Sequence, residues 1–142
     1  MVFIFIQSAL PSDLSSEESG VVVDLIMRAF EDILPYGRET IVFAVRKGAH
    51  FTEYLILGAV LVPAVKEWRV APGLLMAGGA PAAWLIGTAY AVTDEFHQSF
   101  VPGRSCELRD VVIDSCGVLT GVLAALLAGW IRERRIKARQ DL

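Results

Sequence analysis

Three short stretches of the chain concentrate the side chains that can do chemistry. The first contains Lys47, His50, Glu53 and Tyr54, the second contains Asp94, Glu95, His97, Gln98 and Arg104, and the third contains Asp110 and Asp114. Histidine and carboxylate side chains are the usual general acids, bases and nucleophiles, and a neighbouring carboxylate can orient an imidazole. Lysine and arginine can hold an anionic group. The three stretches therefore predict a site of mixed charge.

Two kinds of role are assigned within these stretches. The catalytic hypothesis uses His50, Glu53, Asp94, Glu95 and His97. The ligand-binding hypothesis uses Lys47, Tyr54, Gln98, Arg104, Asp110 and Asp114. A metal alternative takes as ligands His50, Glu53, His97 and either Asp110 or Asp114, a set that suits zinc or manganese. Neither histidine has a metalloprotease-type spacing, so the sequence leaves metal and cofactor open.

The amino-acid composition indicates whether these side chains belong to a soluble protein or to a membrane protein. The 142 residues are 54% hydrophobic and only 20% charged, with a mean hydropathy of +0.52. Such values lie outside the range of ordinary soluble domains and favour a membrane protein. The net charge of -3 predicts no partner, because the charges are segregated along the chain, and no nucleotide-binding motif occurs.

Three segments are long and apolar enough to cross a bilayer as helices, which needs roughly 20 residues. They are residues 41–65, 70–93 and 108–131. Residues 1–10 are also apolar but about half a bilayer long, so we interpret them as part of a first span, either cut short or beginning upstream. The fold class expected for residues 1–142 is thus a single all-α domain, a small polytopic helical bundle.

The polar segment 11–40 is strongly acidic and is expected outside the membrane. Helically spaced apolar residues within it predict an amphipathic helix with an apolar face formed by Val22, Ile26, Ala29, Phe30 and Ile33.

The tail 132–142 is the densest basic run and is expected in the cytoplasm, by the positive-inside rule. Threading the spans back from this tail puts the connection 94–109 outside. The ionisable side chains are therefore expected together at the external side. Inserting a charged side chain at mid-bilayer costs about 2.5–3.5 kcal/mol, so a cluster of such side chains indicates a structural or functional role.

Helical spacing predicts which of these ionisable residues share a helix face. Lys47, His50 and Tyr54 share one face, and Asp94 and Gln98 are neighbours if their helix continues past Glu95. Another stripe consists of Asp110, Asp114, Gly117 and Gly121. The two glycines permit close helix contact, which turns the two aspartates inward. Small residues lead toward Asp94 in the same way, namely Ala83, Gly87 and Ala91.

Two signatures resemble those of the VanZ-like family. The first is Lys47-x-x-His50-Phe51-x-Glu53-Tyr54. The second is Asp94-Glu95-Phe96-His97-Gln98-x-Phe100-Val101-Pro102-Gly103-Arg104, followed by Asp110-Val111-x-x-Asp114-x-x-Gly117. The resemblance implies a bacterial membrane protein of four helices, from a family named after a protein linked to low-level teicoplanin resistance. The shortened first helix departs from that pattern.

Three functional interpretations remain open. The site acts on an external lipid-linked or cell-wall molecule, or it binds such a precursor or a lipoglycopeptide without turnover, or its charges only form a packing network between helices. Ion passage is disfavoured because the polar groups do not continue to the cytoplasmic half. The expected partner is the lipid bilayer, nucleic acid is not expected, and the oligomeric state is left open.

Overall fold

The computed structural model describes residues 1, 4–6, 9, 20–28, 37–67, 79–102 and 106–140. Three long helices make up most of this part of the chain. They are α1 (Arg38–Glu67), α2 (Ala80–Gln98) and α3 (Leu108–Gln140). Residues 20–28 form a shorter helix, and the described ranges contain no β-strand. The predicted all-α fold class is confirmed.

Two of the three helices are long and apolar enough to cross a membrane. The most apolar windows of α1 and α3 have mean hydropathies of 1.4 and 2.1. Helix α1 encloses the predicted span 41–65, and α3 extends the predicted span 108–131 to Gln140. The 33 residues of α3 measure about 50 Å, which exceeds a hydrocarbon core of about 30 Å. Helix α3 is therefore too long to lie wholly within a hydrocarbon core, and one end of it must extend beyond such a core.

Helix α2 covers only part of the predicted span 70–93. It begins at Ala80, after Gly79 in the left-handed conformation at φ 77°, and runs past residue 93 to Gln98. Residues 70–78 lie outside the described part of the chain. The number of membrane spans therefore stays a prediction.

Glycine allows α1 and α3 to approach backbone to backbone. A Cβ on Gly121 would lie 1.9 Å from the carbonyl oxygen of Leu55, and one on Gly58 would lie 2.2 Å from that of Val118. Helix α2 packs on the same point, because a Cβ on Gly87 would lie 2.5 Å from the Val118 side chain. Val118 is fully buried where the three helices meet. The close contact predicted from the glycine spacing is confirmed.

The N-terminal residues lie against this bundle. Ile4 is buried in the same apolar core, and the carbonyl oxygen of Met1 accepts hydrogen bonds from the Phe5 N–H at 3.0 Å and the Tyr90 hydroxyl at 2.7 Å. Ala9 N–H donates to the Phe5 carbonyl at 3.0 Å, which continues the helical bonding pattern. The first helical segment is thus docked on α2.

The helix of residues 20–28 lies within the segment predicted to form an amphipathic helix. Its buried residue is Val23, whereas Val22 is exposed and Ile26 is half-buried. The structure thus buries Val23 rather than Val22, and the apolar face of the segment stays a prediction. The other predicted members of that face lie outside the described residues.

Gly121→Ala tests the contact between α1 and α3. The added methyl group must displace backbone, so we expect the free energy of unfolding to fall by about 1–3 kcal/mol. Thermal unfolding of the purified protein in detergent measures this. Gly129→Ala is the matched control on the same helix, because nothing lies within 4 Å of its added Cβ. Equal stability of the two variants would contradict the packing described.

Candidate functional site

An ion pair joins α1 to α3 at one end of the bundle. The Lys47 ammonium group donates to the Asp110 carboxylate, and their side chains are only 22% and 16% exposed. The two residues meet because α1 and α3 run in the same direction: Gly117 lies against Phe51 and Gly121 against Leu55, so the first half of α1 lies beside the first turn of α3, which contains Asp110. A carboxylate in that turn is also favoured by the positive end of the helix dipole.

The start of α3 is also bonded to the end of α2. The Glu95 carboxylate, 1% exposed, accepts the backbone N–H of Glu107 at 3.0 Å, directly before α3 begins at Leu108. Backbone N–H groups at a helix start lack partners within the helix, so an acceptor side chain stabilises that end. Glu95 thus fixes where the chain enters α3.

Three further polar side chains are buried behind the ion pair. They are Asp94, Gln98 and Asp114, at 2%, 5% and 1% exposure. Gln98 Nε2 donates to Asp94 Oδ2 at 3.1 Å, since α2 continues past Glu95 as the spacing requires. Neither Asp114 carboxylate oxygen has a hydrogen-bond partner among the described residues. Burying these groups at the helix contacts keeps them away from lipid.

A polar cavity of about 360 Å³ opens beside this buried group. Its lining residues come from the first half of α1, the end of α2 and the start of α3: Glu39, Val42, Phe43, Arg46, Lys47, His50, Gln98, Glu107, Arg109 and Asp110. The cations of Lys47 and Arg109 lie 5.4 and 5.0 Å from the centre of the Phe43 ring. Arg109 also pairs with Glu107 at 2.6 Å in an exposed position. The cavity therefore offers charges of both signs.

The candidate residues divide into three groups. Lys47, His50, Gln98 and Asp110 line the cavity. Tyr54, Asp94, Glu95 and Asp114 are buried at the helix contacts, with the Tyr54 ring centre 6.2 Å from that of Tyr90. The third group lies elsewhere: Glu53 borders a separate apolar groove, His97 stacks on Phe5 at 4.4 Å, and Arg104 lies outside the described residues.

The structure does not bring the ligands of the metal alternative together within the described part of the chain. No group of three or more His, Cys, Asp or Glu side chains there is arranged to hold a metal ion. His50 faces the cavity, Glu53 faces the apolar groove and His97 contacts Phe5. The proposed ligands are thus distributed over different surfaces of α1 and α2.

Several cavity residues were missed by the sequence reasoning. Arg46 and Glu39 extend the face of His50 toward the start of α1, at spacings of four and eleven residues. Glu107 and Arg109 flank the start of α3. The signal was available for Arg46, because it lies one turn from His50 on the same helix.

Comparison with known proteins adds one match. The family model described as VanZ/LLP1 matches residues 1–129. This range includes all the residues that line the cavity and all the buried polar residues at the helix contacts. No curated protein and no solved structure gives a significant match.

Lys47→Met tests the ion pair. Removing the ammonium group leaves the half-buried Asp110 carboxylate without its partner, so we expect the free energy of unfolding to fall by about 1–3 kcal/mol. Thermal unfolding in detergent measures the change. Arg109→Met is the control, because its pair with Glu107 is solvent-exposed and worth under about 1 kcal/mol. A Lys47→Met variant as stable as the control would show that the pair does not hold the helices.

Proposed function

The chain belongs to the VanZ/LLP1 family, and we propose that it is a multi-pass protein of the bacterial cell membrane whose polar cavity faces outward and binds a cell-envelope molecule. The ligand class is a lipid-linked cell-wall precursor or a lipoglycopeptide. Binding of such a molecule would give the chain a role in low-level glycopeptide resistance, as for the protein after which the family is named.

The proposed topology has three full spans, 41–65, 70–93 and 108–131, with residues 1–10 as part of a first span. The acidic segment 11–40 lies outside. The arginine-rich end of α3 lies in the cytoplasm because basic residues near spans are retained there. Since α1 runs in the same direction as α3, the first half of α1 lies beside the start of α3, at the end of the bundle opposite the arginine-rich tail. This orientation therefore puts the cavity on the external side.

The observation that carries the proposal is the cavity at the end of the bundle. Ionisable groups are expensive in a membrane, and pairing alone would be served by a sealed contact between helices. Here Arg46, Lys47 and His50 line an open space of about 360 Å³. An accessible cavity with both charges suits a polar ligand better than a packing role.

A packing network is the second candidate function, and particular bonds favour it. The bonds of Lys47 to Asp110 and of Glu107 to Glu95 connect different helices. We assign Lys47, Asp110 and Glu95, which make these bonds, to packing, and we assign Arg46 and His50, which line the open space, to the ligand. A catalytic version of the proposal uses His50 as the base, since His97 stacks on Phe5 instead.

His50→Ala tests the functional role of the cavity. Expressed in a teicoplanin-susceptible bacterium, the unchanged chain is expected to raise the inhibitory concentration of teicoplanin, and His50→Ala is expected to abolish the increase with an unchanged amount of protein in the membrane. Thr52→Ala is the control, because Thr52 is exposed on the same helix and only donates to the Gly48 carbonyl.

Disappearance of His50→Ala from the membrane would favour the packing role. Full resistance in His50→Ala would exclude the cavity as the functional site.

Cysteine labelling tests the topology. Cys106 is exposed and unpaired before α3, so a membrane-impermeant thiol reagent is expected to label it in intact cells of a Cys116→Ser variant. Ala138→Cys, made together with Cys106→Ser and Cys116→Ser, is expected to react only after the cells are opened. The reverse pattern would place the cavity in the cytoplasm.

A further inference from the structure

One stripe of α1 connects the polar cavity to an apolar groove. Arg46, His50, Glu53, Leu57 and Val60 follow each other at alternating steps of four and three residues, so they share a helix face. Arg46 and His50 line the cavity, whereas the last three line the groove. The face changes from cationic to apolar over about 21 Å, at 1.5 Å per residue.

The polar end of this stripe carries a cation, Arg46, that pairs with no described acidic residue. Lys47 pairs with Asp110, and Arg109 pairs with Glu107. Within the described ranges Arg46 has no ion pair, although it is half-buried at the cavity wall. A guanidinium group in such a position presents a planar fork of donors that matches a phosphate or carboxylate.

The apolar end of the stripe is a groove of about 210 Å³. Its walls are Met1, Ile4, Ile56, Leu57 and Val60, with Glu53 at the end nearer the cavity. Ile56 and Val60 are 56% and 60% exposed. The groove is thus open along one side, as entry of a hydrocarbon chain from the bilayer requires.

The depth of the two ends matches the dimensions of a lipid. The 20 residues from Arg46 to Val65 cover about 30 Å, the thickness of the hydrocarbon core. With Val65, the last residue of the predicted span, at the inner boundary of the hydrocarbon core, Arg46 lies at the outer boundary, near the level of lipid phosphates. Val60 lies about 21 Å deeper in the bilayer than Arg46, at the level of the lipid hydrocarbon chains.

We propose that this stripe binds an anionic lipid, with its phosphate on Arg46 and its hydrocarbon chain in the groove beside Leu57 and Val60. This inference rests on the proposed function, because it names the ligand class for the same cavity. Glu53 lies at the junction, so it favours a headgroup that also offers hydrogen-bond donors, such as phosphoglycerol or a phosphosugar.

Binding of phosphatidylglycerol to the purified full chain, measured by native mass spectrometry in detergent, tests the proposal. The unchanged protein is expected to bind phosphatidylglycerol at least tenfold more tightly than phosphatidylcholine. Arg46→Gln, which removes the cation, and Val60→Trp, which fills the groove, are each expected to weaken that binding about tenfold.

Two controls match these changes. Arg28→Gln removes an exposed arginine from the helix of residues 20–28, and Val112→Trp adds the same bulk at an exposed position of α3. Both are expected to bind phosphatidylglycerol within twofold of the unchanged protein. Unchanged affinity in Arg46→Gln would overturn the assignment.

Competition by glycerol phosphate, which has the headgroup but no hydrocarbon chains, distinguishes a lipid ligand from a soluble anion. The proposal predicts that it competes with phosphatidylglycerol only at concentrations at least a hundredfold higher. Competition at equal concentration, with normal binding by Val60→Trp, would show a soluble anion and overturn the lipid assignment.

The same variants separate this inference from the proposed function. Loss of teicoplanin resistance in His50→Ala, together with normal lipid binding in Arg46→Gln, would leave the functional cavity standing and refute its lipid ligand. Weakened lipid binding in Arg46→Gln together with full resistance in His50→Ala would support the lipid site and exclude the cavity as the site of the resistance function.

Discussion

Close backbone contact between α1 and α3 determines where every ionisable group of the site lies. Gly58, Gly117 and Gly121 remove the side chains that would otherwise separate the two helices, and any Cβ there would meet backbone atoms. Because both helices are rigid, fixing this contact also fixes the register of their polar ends. Lys47 then faces Asp110, one helix turn before Asp114. Small residues thus position the large charged ones.

The polar end separates into two regions with different physical demands. At the helix contacts, Asp94, Glu95 and Asp114 are almost completely buried, and their environment consists of neighbouring helix surfaces. Around the cavity, Arg46 and His50 line open space. Buried polar groups stabilise a fold only when they are satisfied, whereas a cavity can leave its groups available to a ligand. We therefore assign packing to Glu95, whose carboxylate accepts the Glu107 N–H, and ligand binding to Arg46 and His50.

The main helices and the gathering of polar groups could be predicted from the sequence. Apolar stretches give the helix positions, and the spacing of Gly117 and Gly121 gives the contact that buries Asp114. The orientation of individual side chains was harder to predict. His97 follows Asp94 by three residues, yet it stacks on Phe5 because the N-terminal residues dock on α2. Residue spacing within one helix does not show which other segment packs against it. Glu53 likewise borders a groove that the N-terminal residues Met1 and Ile4 help to form.

The central claim is that the polar end of the bundle is an open, external cavity. The most direct measurement is the reaction of His50→Cys, made together with Cys106→Ser and Cys116→Ser, with a membrane-impermeant thiol reagent added to intact cells. The account predicts rapid labelling at position 50 and none for Val62→Cys in the same background, because Val62 is buried among the helices. Absence of labelling at position 50 in intact cells, with labelling after detergent unfolding, would contradict it by showing a sealed or inward-facing site.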